Sequence, residues 1–365
     1  MKTTVIGAYT RPVMLEDTNQ NHGLRAKINQ QPHLFDPPPA PPSFSLVSLF
    51  SGAGGMDLGF RGDFTFQNRY YEVNPFEIIW ANELNPAACR TYRRNVHGDI
   101  FEGDVWKHLD MLPKQADVVI GGFPCQDLSV NGKGAGLSGS KSGLYRALVK
   151  AVEHLNPRIF VVENVKALSN KNHQDAFRTI TSDFEAHGYE VTHHLYNAAD
   201  YGVPQTRERM FIVGRRPEIA EFTHPAPILL KQEWVTAQQA IGDLETRARD
   251  EAFSHTWSLA AVSGEQGDRH LKADRPGYTI RAEAHGNTHW HYALPRRMTN
   301  REAARIQSFP DEFIFDAKLR ETERMIGNAV PPVLAWYVAR AVAESLRGQS
   351  ILRGYADQGL RTTHQ

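Results

Sequence analysis

Five apolar runs recur between residues 44 and 213: Phe44 to Phe50, Phe76 to Asn82, Ala116 to Ile120, Arg158 to Val162 and Arg209 to Val213. Runs this short, with few polar interruptions, predict strands buried on both faces rather than half-exposed ones. Helical spacing fills the gaps, from Met56, across Pro86 to Asn95, across residues 172 to 187, and in a last helix from Val330 to about Leu346. That alternation predicts an α/β architecture around a mostly parallel sheet. Two stretches break the rhythm. Arg61 to Asn74, rich in aromatics, predicts an inserted hairpin. From Pro217 to Arg296 the segments become rich in Pro, His, Trp and Gly, which predicts a second domain, and Arg301 to Pro310 then regains helical spacing.

The residues at the strand ends carry the candidate chemistry, because open α/β sheets hold ligands at their carboxyl edge. The first run feeds Ser51-Gly52-Ala53-Gly54-Gly55, whose glycines let backbone approach a ligand and point helix amides at it. Glycine spacing by itself does not separate a dinucleotide from another nucleotide-like cofactor. The second run ends in Glu83, where a carboxylate accepts hydrogen bonds from ribose hydroxyls; a hairpin inserted before it accounts for a gap longer than the roughly twenty residues usual in such units. The third runs into Gly121-Gly122-Phe123-Pro124-Cys125, a forced turn that brings a thiol to the edge. The fourth delivers Glu163. Taken singly, a loop cysteine is more often packing, and for Glu83 an exposed Glu starting a helix weighs evenly against the ribose reading. From Ser129 to Gly143 the chain is so rich in Gly and Ser that it predicts a lid, with Lys133 and Lys141 for phosphate.

Composition bounds the reading. A chain of 365 residues suits a large and a small lobe, and its charge is balanced at 41 basic and 41 acidic residues. From Arg269 to Arg305, however, eight Lys and Arg face three Asp and Glu, so a neutral whole carries a basic stretch suited to a polyanion. Two cysteines, Cys89 and Cys125, fit a reducing cytosol and no disulfide scaffold. No Cys/His cluster has metal-ligand spacing, and no signal peptide or membrane span is visible, so a cytoplasmic protein without metal is expected. Residues 1–44 end in a proline-rich run and read as a tail or linker.

Six segments in order, Phe50 to Gly55, Ala81-Asn82-Glu83, Gly121 to Ser129, Glu163-Asn164-Val165, Gln205-Thr206-Arg207-Glu208-Arg209 and Gly327-Asn328-Ala329-Val330-Pro331-Pro332, resemble the signatures of the DNA (cytosine-5) methyltransferases. The resemblance covers about residues 45 to 347 and implies a Rossmann-like S-adenosylmethionine-dependent methyltransferase fold with a smaller, irregular target-recognition domain. It implies catalytic and cofactor-binding residues 45–216, a recognition domain at 217–316, a return of the chain to the first lobe at 317–350, and a tail at 351–365.

For the site, the resemblance implies that S-adenosylmethionine lies along Phe50, Ser51, Gly52, Ala53, Gly54, Gly55 and Met56. Glu83 and Leu84, Asp104 and Val105, Gly122 and Pro124, and Asn328 and Val330 complete its surroundings. Cytosine C5 is a poor nucleophile until a thiolate adds at C6, which assigns Cys125. Glu163 then meets the charge growing at N3, oriented by Arg207 and Arg209. The target base must leave the duplex, with Gln126 and Ser129 filling the gap and Lys133, Arg281, Arg297 and Arg301 facing DNA. The implied partner is double-stranded DNA, met by a monomer in the nucleoid, with a cognate restriction endonuclease as a further partner. An RNA cytosine-5 methyltransferase and a non-catalytic DNA-binding relative are the alternatives. A nicotinamide oxidoreductase would leave Pro124-Cys125-Gln126 and Gln205 to Arg209 without roles.

Overall fold

The computed structural model describes residues 43–123, 143–170, 173–259, 269–282 and 289–348. In chain order its strands are β1 (Phe44–Leu49), β2 (Phe64–Phe66), β3 (Arg69–Tyr71), β4 (Phe76–Glu83), β5 (Phe101–Glu102), β6 (Val118–Gly121), β7 (Ile159–Val165), β8 (Glu190–Asn197), β9 (Gln205–Thr206), β10 (Glu208–Arg215) and β11 (Gly277–Tyr278). Its helices are α1 (Gly55–Arg61), α2 (Pro86–Asn95), α3 (Leu144–Leu155), α4 (Gln174–Glu185), α5 (Ala237–Ile241), α6 (Asn300–Ile306), α7 (Leu319–Asn328) and α8 (Pro332–Arg347). All five apolar runs are strands of one seven-stranded sheet ordered β5-β4-β1-β6-β7-β10-β8. Only β10 runs against its neighbours, antiparallel to both β7 and β8.

Alternation along these strands supplies two cores, because successive side chains leave opposite faces. Leu46, Ile78, Ile120, Val161 and Phe211 pack on one face with α1, α2 and α8. Val47, Leu49, Val119, Phe160, Val162 and Ile212 pack on the other with α3 and α4. Helix α8 lies so close to α1 that a Cβ on Gly59 would stand 2.4 Å from Ala335 Cβ and 2.6 Å from Pro332 O. Only glycine permits that approach, and it brings the C-terminal helix back onto the first face of the sheet.

The aromatic stretch after α1 is the expected hairpin, β2 against β3, its Phe64 and Tyr71 rings stacked at 4.8 Å. Helix α2 has the predicted bounds: Asn85 caps it by accepting from Ala87 N and Ala88 N, and Pro86 sits in its first turn. Strand β8 and helices α3 and α7 are among the elements that were not anticipated. Strand β8 is an edge strand paired only to β10 and mostly exposed, so it carries no apolar run. Helix α3 follows directly on the Gly/Ser stretch and buries Tyr145, Leu148, Ala151, Val152 and Leu155. Helix α7 is short and mostly polar.

Among the described residues between 217 and 316 regular structure is sparse, and arginines that are themselves mostly buried tie the loops together through ion pairs. Arg305 chelates Asp311 and also meets Asp243, and Arg296 grips the wholly buried Glu302 at 2.7 and 2.8 Å. Strand β11 from this region pairs in parallel with β9.

Candidate active site

Strand order alone locates a crevice. From β1 the chain winds to β4 and β5 on one side, then crosses to β6 and β7 on the other, so the carboxyl ends of β1 and β6 diverge at a topological switch point. A cavity of about 550 Å³ opens there, lined by the ends of β1, β4, β6 and β7 and by the C-terminal turn of α7. The register levels these ends, since Gly121 is opposite both Leu49 and Val162.

Phe50 leaves β1 with φ 56°, a left-handed conformation that costs a side-chain-bearing residue about 1–2 kcal/mol. Gly52 and Gly54 are also left-handed, and a Cβ on Gly54 would lie 2.5 Å from Val96 and 2.9 Å from Tyr92. The loop can therefore bend tightly over α2 only with glycine there. Glu83, at the end of β4, spans two elements: one carboxylate oxygen accepts Gly52 N at 2.9 Å and the other accepts Asn85 N at 2.8 Å. Burial raises its pKa while these backbone donors hold the charged form. Each oxygen keeps a further lone pair for a ligand diol. Asp104 turns the chain after β5 by accepting Trp106 N at 3.1 Å, and Leu84, Val105 and Phe50 add apolar surface.

Across the cavity, register decides which residue Glu163 meets. Phe211 of β10 lies directly opposite it, so Arg209, two residues along, faces the same side on the diagonal. Arg209 Nε donates to Glu163 Oε1 at 2.8 Å, and both side chains are nearly buried, at 12% and 11% exposure. Burial raises the pKa of Glu163, and the two arginine charges oppose it, Arg209 more than Arg207. Gly122 leaves room for this carboxylate: a Cβ there would stand 3.1 Å from Glu163 Oε2. Asn164 steadies the approach by donating to Phe123 O at 3.3 Å. A carboxyl whose burial favours the protonated form, beside an anchored guanidinium, can donate a proton to a bound base and take it back.

Of the sequence-predicted residues, Phe50, Ser51, Gly52, Ala53, Gly55, Met56, Glu83, Leu84, Asp104, Val105, Gly122, Asn328, Val330, Glu163 and Arg209 line this one cavity. Gly54 sits behind the loop, against α2. Pro124, Cys125, Gln126, Ser129 and Lys133, with the rest of the Gly/Ser segment up to Ser142, lie outside the described residues.

Three arginines stand elsewhere than expected. Arg207 does not reach the Glu163 carboxylate. It is wholly buried and donates to Ile280 O at 2.9 Å, Gly327 O at 2.8 Å and Ala329 O at 3.0 Å, tying three sequence-distant segments together. Arg301, expected to face DNA, is likewise buried and donates to Phe253 O, Pro310 O and Phe313 O. Burial lowers its pKa to about 10. Arg297 is 2% exposed and lies over the Trp290 ring. Helical spacing and charge could not distinguish these from surface cations, because each is buried by contacts between remote segments.

Arg281 is exposed, as expected. Two cavity residues that the sequence did not single out are Asp57 and Arg324. Asp57 lies two residues past the Gly-rich segment, the only local signal for it; Arg324 lies three residues before Gly327.

Among the described residues no helix is long and apolar enough to cross a membrane, and no group of His, Cys, Asp and Glu could hold a metal ion.

A family model for C-5 cytosine-specific DNA methylases matches residues 44–262 and 251–344. The Type II methyltransferase M.NgoFVII of Neisseria gonorrhoeae is 36% identical over 321 residues, which cover 79% of this chain and 83% of that one. M.BbvI of Brevibacillus brevis is 34% identical over 343 residues, covering 83% and 91%. Among solved structures, a DNA modification methyltransferase encoded in an E. coli prophage aligns with a TM-score of 0.63 at 20% identity, over 84% of this chain and 100% of that one. The S. pombe Dnmt2 methyltransferase aligns with a TM-score of 0.58 at 18% identity, over 83% and 98%. These likenesses show that the fold is shared. With the family model spanning the strand ends that build this cavity and the helices that return to it, the chain belongs to the C-5 cytosine-specific DNA methylases and is a DNA cytosine methyltransferase.

Proposed function

We propose that the chain methylates C5 of a cytosine extruded from a specific double-stranded sequence, with Cys125 as nucleophile and Glu163 as proton donor, using S-adenosylmethionine. The observation that carries this is the single cavity in which a paired, partly desolvated Glu163 faces the glycine loop and the Glu83 carboxylate. Residues 45–216 together with the return at 317–350 form the catalytic part, and 217–316 read the sequence. The tails at 1–44 and 351–365 take no part in the chemistry.

The residues present fit the cofactor. Glu83 offers lone pairs to a ribose diol, Gly52 has no atom within 4 Å of where a Cβ would be, and Phe50, Leu84 and Val105 offer flat apolar surface. Ser51, Ala53, Gly55 and Met56 would border the methionine part, Asp104 the adenine amino group, and Gly122, Pro124, Asn328 and Val330 the far wall. When bound, S-adenosylmethionine supplies an electrophilic methyl group.

The chain's own residues do the rest. The Cys125 thiolate adds to C6, the ring electron pair shifts toward C5, and N3 takes the proton of Glu163. Arg209 holds the resulting carboxylate through its Nε. Once C5 carries a methyl group, H5 leaves as a proton to a base, the Cys125 sulfur departs as thiolate, and N3 returns its proton to the Glu163 carboxylate, which restores the aromatic ring. Gln126 and Ser129 occupy the gap left by the extruded base, and Lys133 and Arg281 meet the DNA backbone. The protein works as a monomer in the cytoplasm, on the nucleoid, alongside a restriction endonuclease cutting the same site.

Trapping tests this reading. Wild type incubated with cofactor and duplex DNA containing 5-fluorocytosine should form a stable covalent adduct, since H5 cannot be eliminated. Cys125→Ser should form none and should not turn over. Absence of an adduct with wild type, or turnover by the variant, would overturn the mechanism.

A further inference from the structure

Arg324 is a cation on the active-site cavity with no assigned role. It is exposed on α7, while the flanking Glu323 and Met325 are buried. It lines the same cavity as Glu163 and Arg209, yet among the described residues it makes no hydrogen bond or ion pair. An arginine that shapes a fold is usually spent on carbonyls or carboxylates, as Arg207 and Arg301 are here. Arg324 is not.

Its surroundings extend the same charge outward. One turn on, a Cβ at Gly327 would stand 2.5 Å from Ala282 N and 2.6 Å from the carbonyl carbon of Arg281, so the backbone of Arg281 runs directly against α7. Arg281 is exposed in turn. Beyond it, the buried His289 ring has its pKa pushed down to about 4, first by burial and then by Arg269, Arg281 and Arg297. Of these three arginines Arg281 is the one that is exposed, and it carries positive charge on from α7 toward solvent. A cofactor held inside the cavity could engage Arg324 alone; a polyanion lying across the mouth engages Arg281 as well.

We propose that Arg324, with Arg281 beside it, anchors the phosphodiester backbone of duplex DNA at the cavity mouth, next to the nucleotide that enters toward Glu163. This rests on the functional reading above. A planar guanidinium suits phosphate through paired N–H donors, and backbone contacts of this kind position the duplex without reading its sequence.

The test uses the full-length protein, a short duplex and S-adenosylmethionine in separate titrations. Duplex affinity is measured by anisotropy between about 50 and 200 mM salt for wild type, Arg324→Gln, Arg324→Lys and Arg281→Gln. Cofactor affinity is measured by calorimetry on the same preparations. We expect Arg324→Gln to weaken duplex binding roughly 5- to 20-fold and to flatten the slope of log affinity against log salt by about 0.9, the contribution of one phosphate contact. Lysine should restore most of the slope, Arg281→Gln should resemble Arg324→Gln, and cofactor affinity should be unchanged throughout. If Arg324→Gln instead loses cofactor affinity and binds duplex as wild type does, the guanidinium serves the cofactor carboxylate and the proposal fails. It fails equally if neither affinity moves. A wild-type protein with no salt-dependent duplex binding would overturn the functional reading itself, whereas normal wild-type binding with an unaffected variant removes only the anchor.

Discussion

Replacing Glu163 with glutamine separates the proposed proton transfer from binding. The side chain sits 11% exposed between Gly122 and Arg209, and among the described residues its ionic partner is the Nε of Arg209 at 2.8 Å. Truncation to alanine would take the carboxylate away from that nearly buried guanidinium, a loss of about 3–5 kcal/mol that would confuse folding with chemistry. Glutamine keeps an oxygen for Arg209 and exchanges a charge-assisted hydrogen bond for a neutral one, so about 1–3 kcal/mol of stability is expected to go. The variant should stay folded.

What it cannot do is hand over a proton. Loss of a positioned general acid lowers rates by about 10²–10⁴, or roughly 3–5 kcal/mol of barrier at 1.36 kcal/mol per tenfold. Burial raises the Glu163 pKa, so the protonated form persists to higher pH than in an ordinary carboxyl and is lost as pH climbs through the folded value. The wild-type rate should therefore carry a descending alkaline limb that Glu163→Gln lacks. Rapid-quench single turnover with labelled methyl donor across pH, with melting temperature, duplex affinity and cofactor affinity on the same material, checks this. A variant rate within a few-fold of wild type, or a slow rate that retains the alkaline limb, refutes the acid role.

Two further outcomes follow from buried groups. Arg207→Met should strand the carbonyls of Ile280, Gly327 and Ala329 at a cost of about 3–5 kcal/mol, with hydrogen exchange quickening in residues 277–282 and 327–330 while β1 and β6 stay protected; equal protection everywhere would show that Arg207 is no clamp. Asp57, 1% exposed and hydrogen-bonded by the Tyr92 hydroxyl, has its pKa raised by burial from 3.8 to about 6. Folding then favours its protonated form, so the stability it contributes is present below about pH 4 and is lost as pH rises through about 6, roughly 3 kcal/mol in all. Asp57→Asn should remove that loss, so urea unfolding should find the variant ahead of wild type near pH 8 and the gap closing near pH 4.5; identical pH profiles would show that Asp57 is not the titrating group.

The sequence by itself determined the sheet and most of the cavity. Short, mostly apolar runs fit strands covered on both faces, and four of the five lead into a residue that now lines the crevice: Phe50 after β1, Glu83 at the end of β4, Gly122 after β6, Glu163 within β7. Local chemistry was enough for these, because the carboxyl end of a parallel strand points where its neighbours' ends point. Strand β8 escaped because an edge strand pairs on one side and needs no apolar run.

Tertiary structure decided the fate of the charges. Arg207 and Arg209 are two residues apart in one motif, yet register turned Arg209 onto Glu163, while contacts from residues 280, 327 and 329 enclosed Arg207. Arg301 and Arg324 are both helical arginines near the same region. One is enclosed by carbonyls of residues 253, 310 and 313, and the other stands free at the cavity. A side chain's charge is written in the sequence, but its solvation is set by which distant backbone closes over it, and that follows only once the chain is packed.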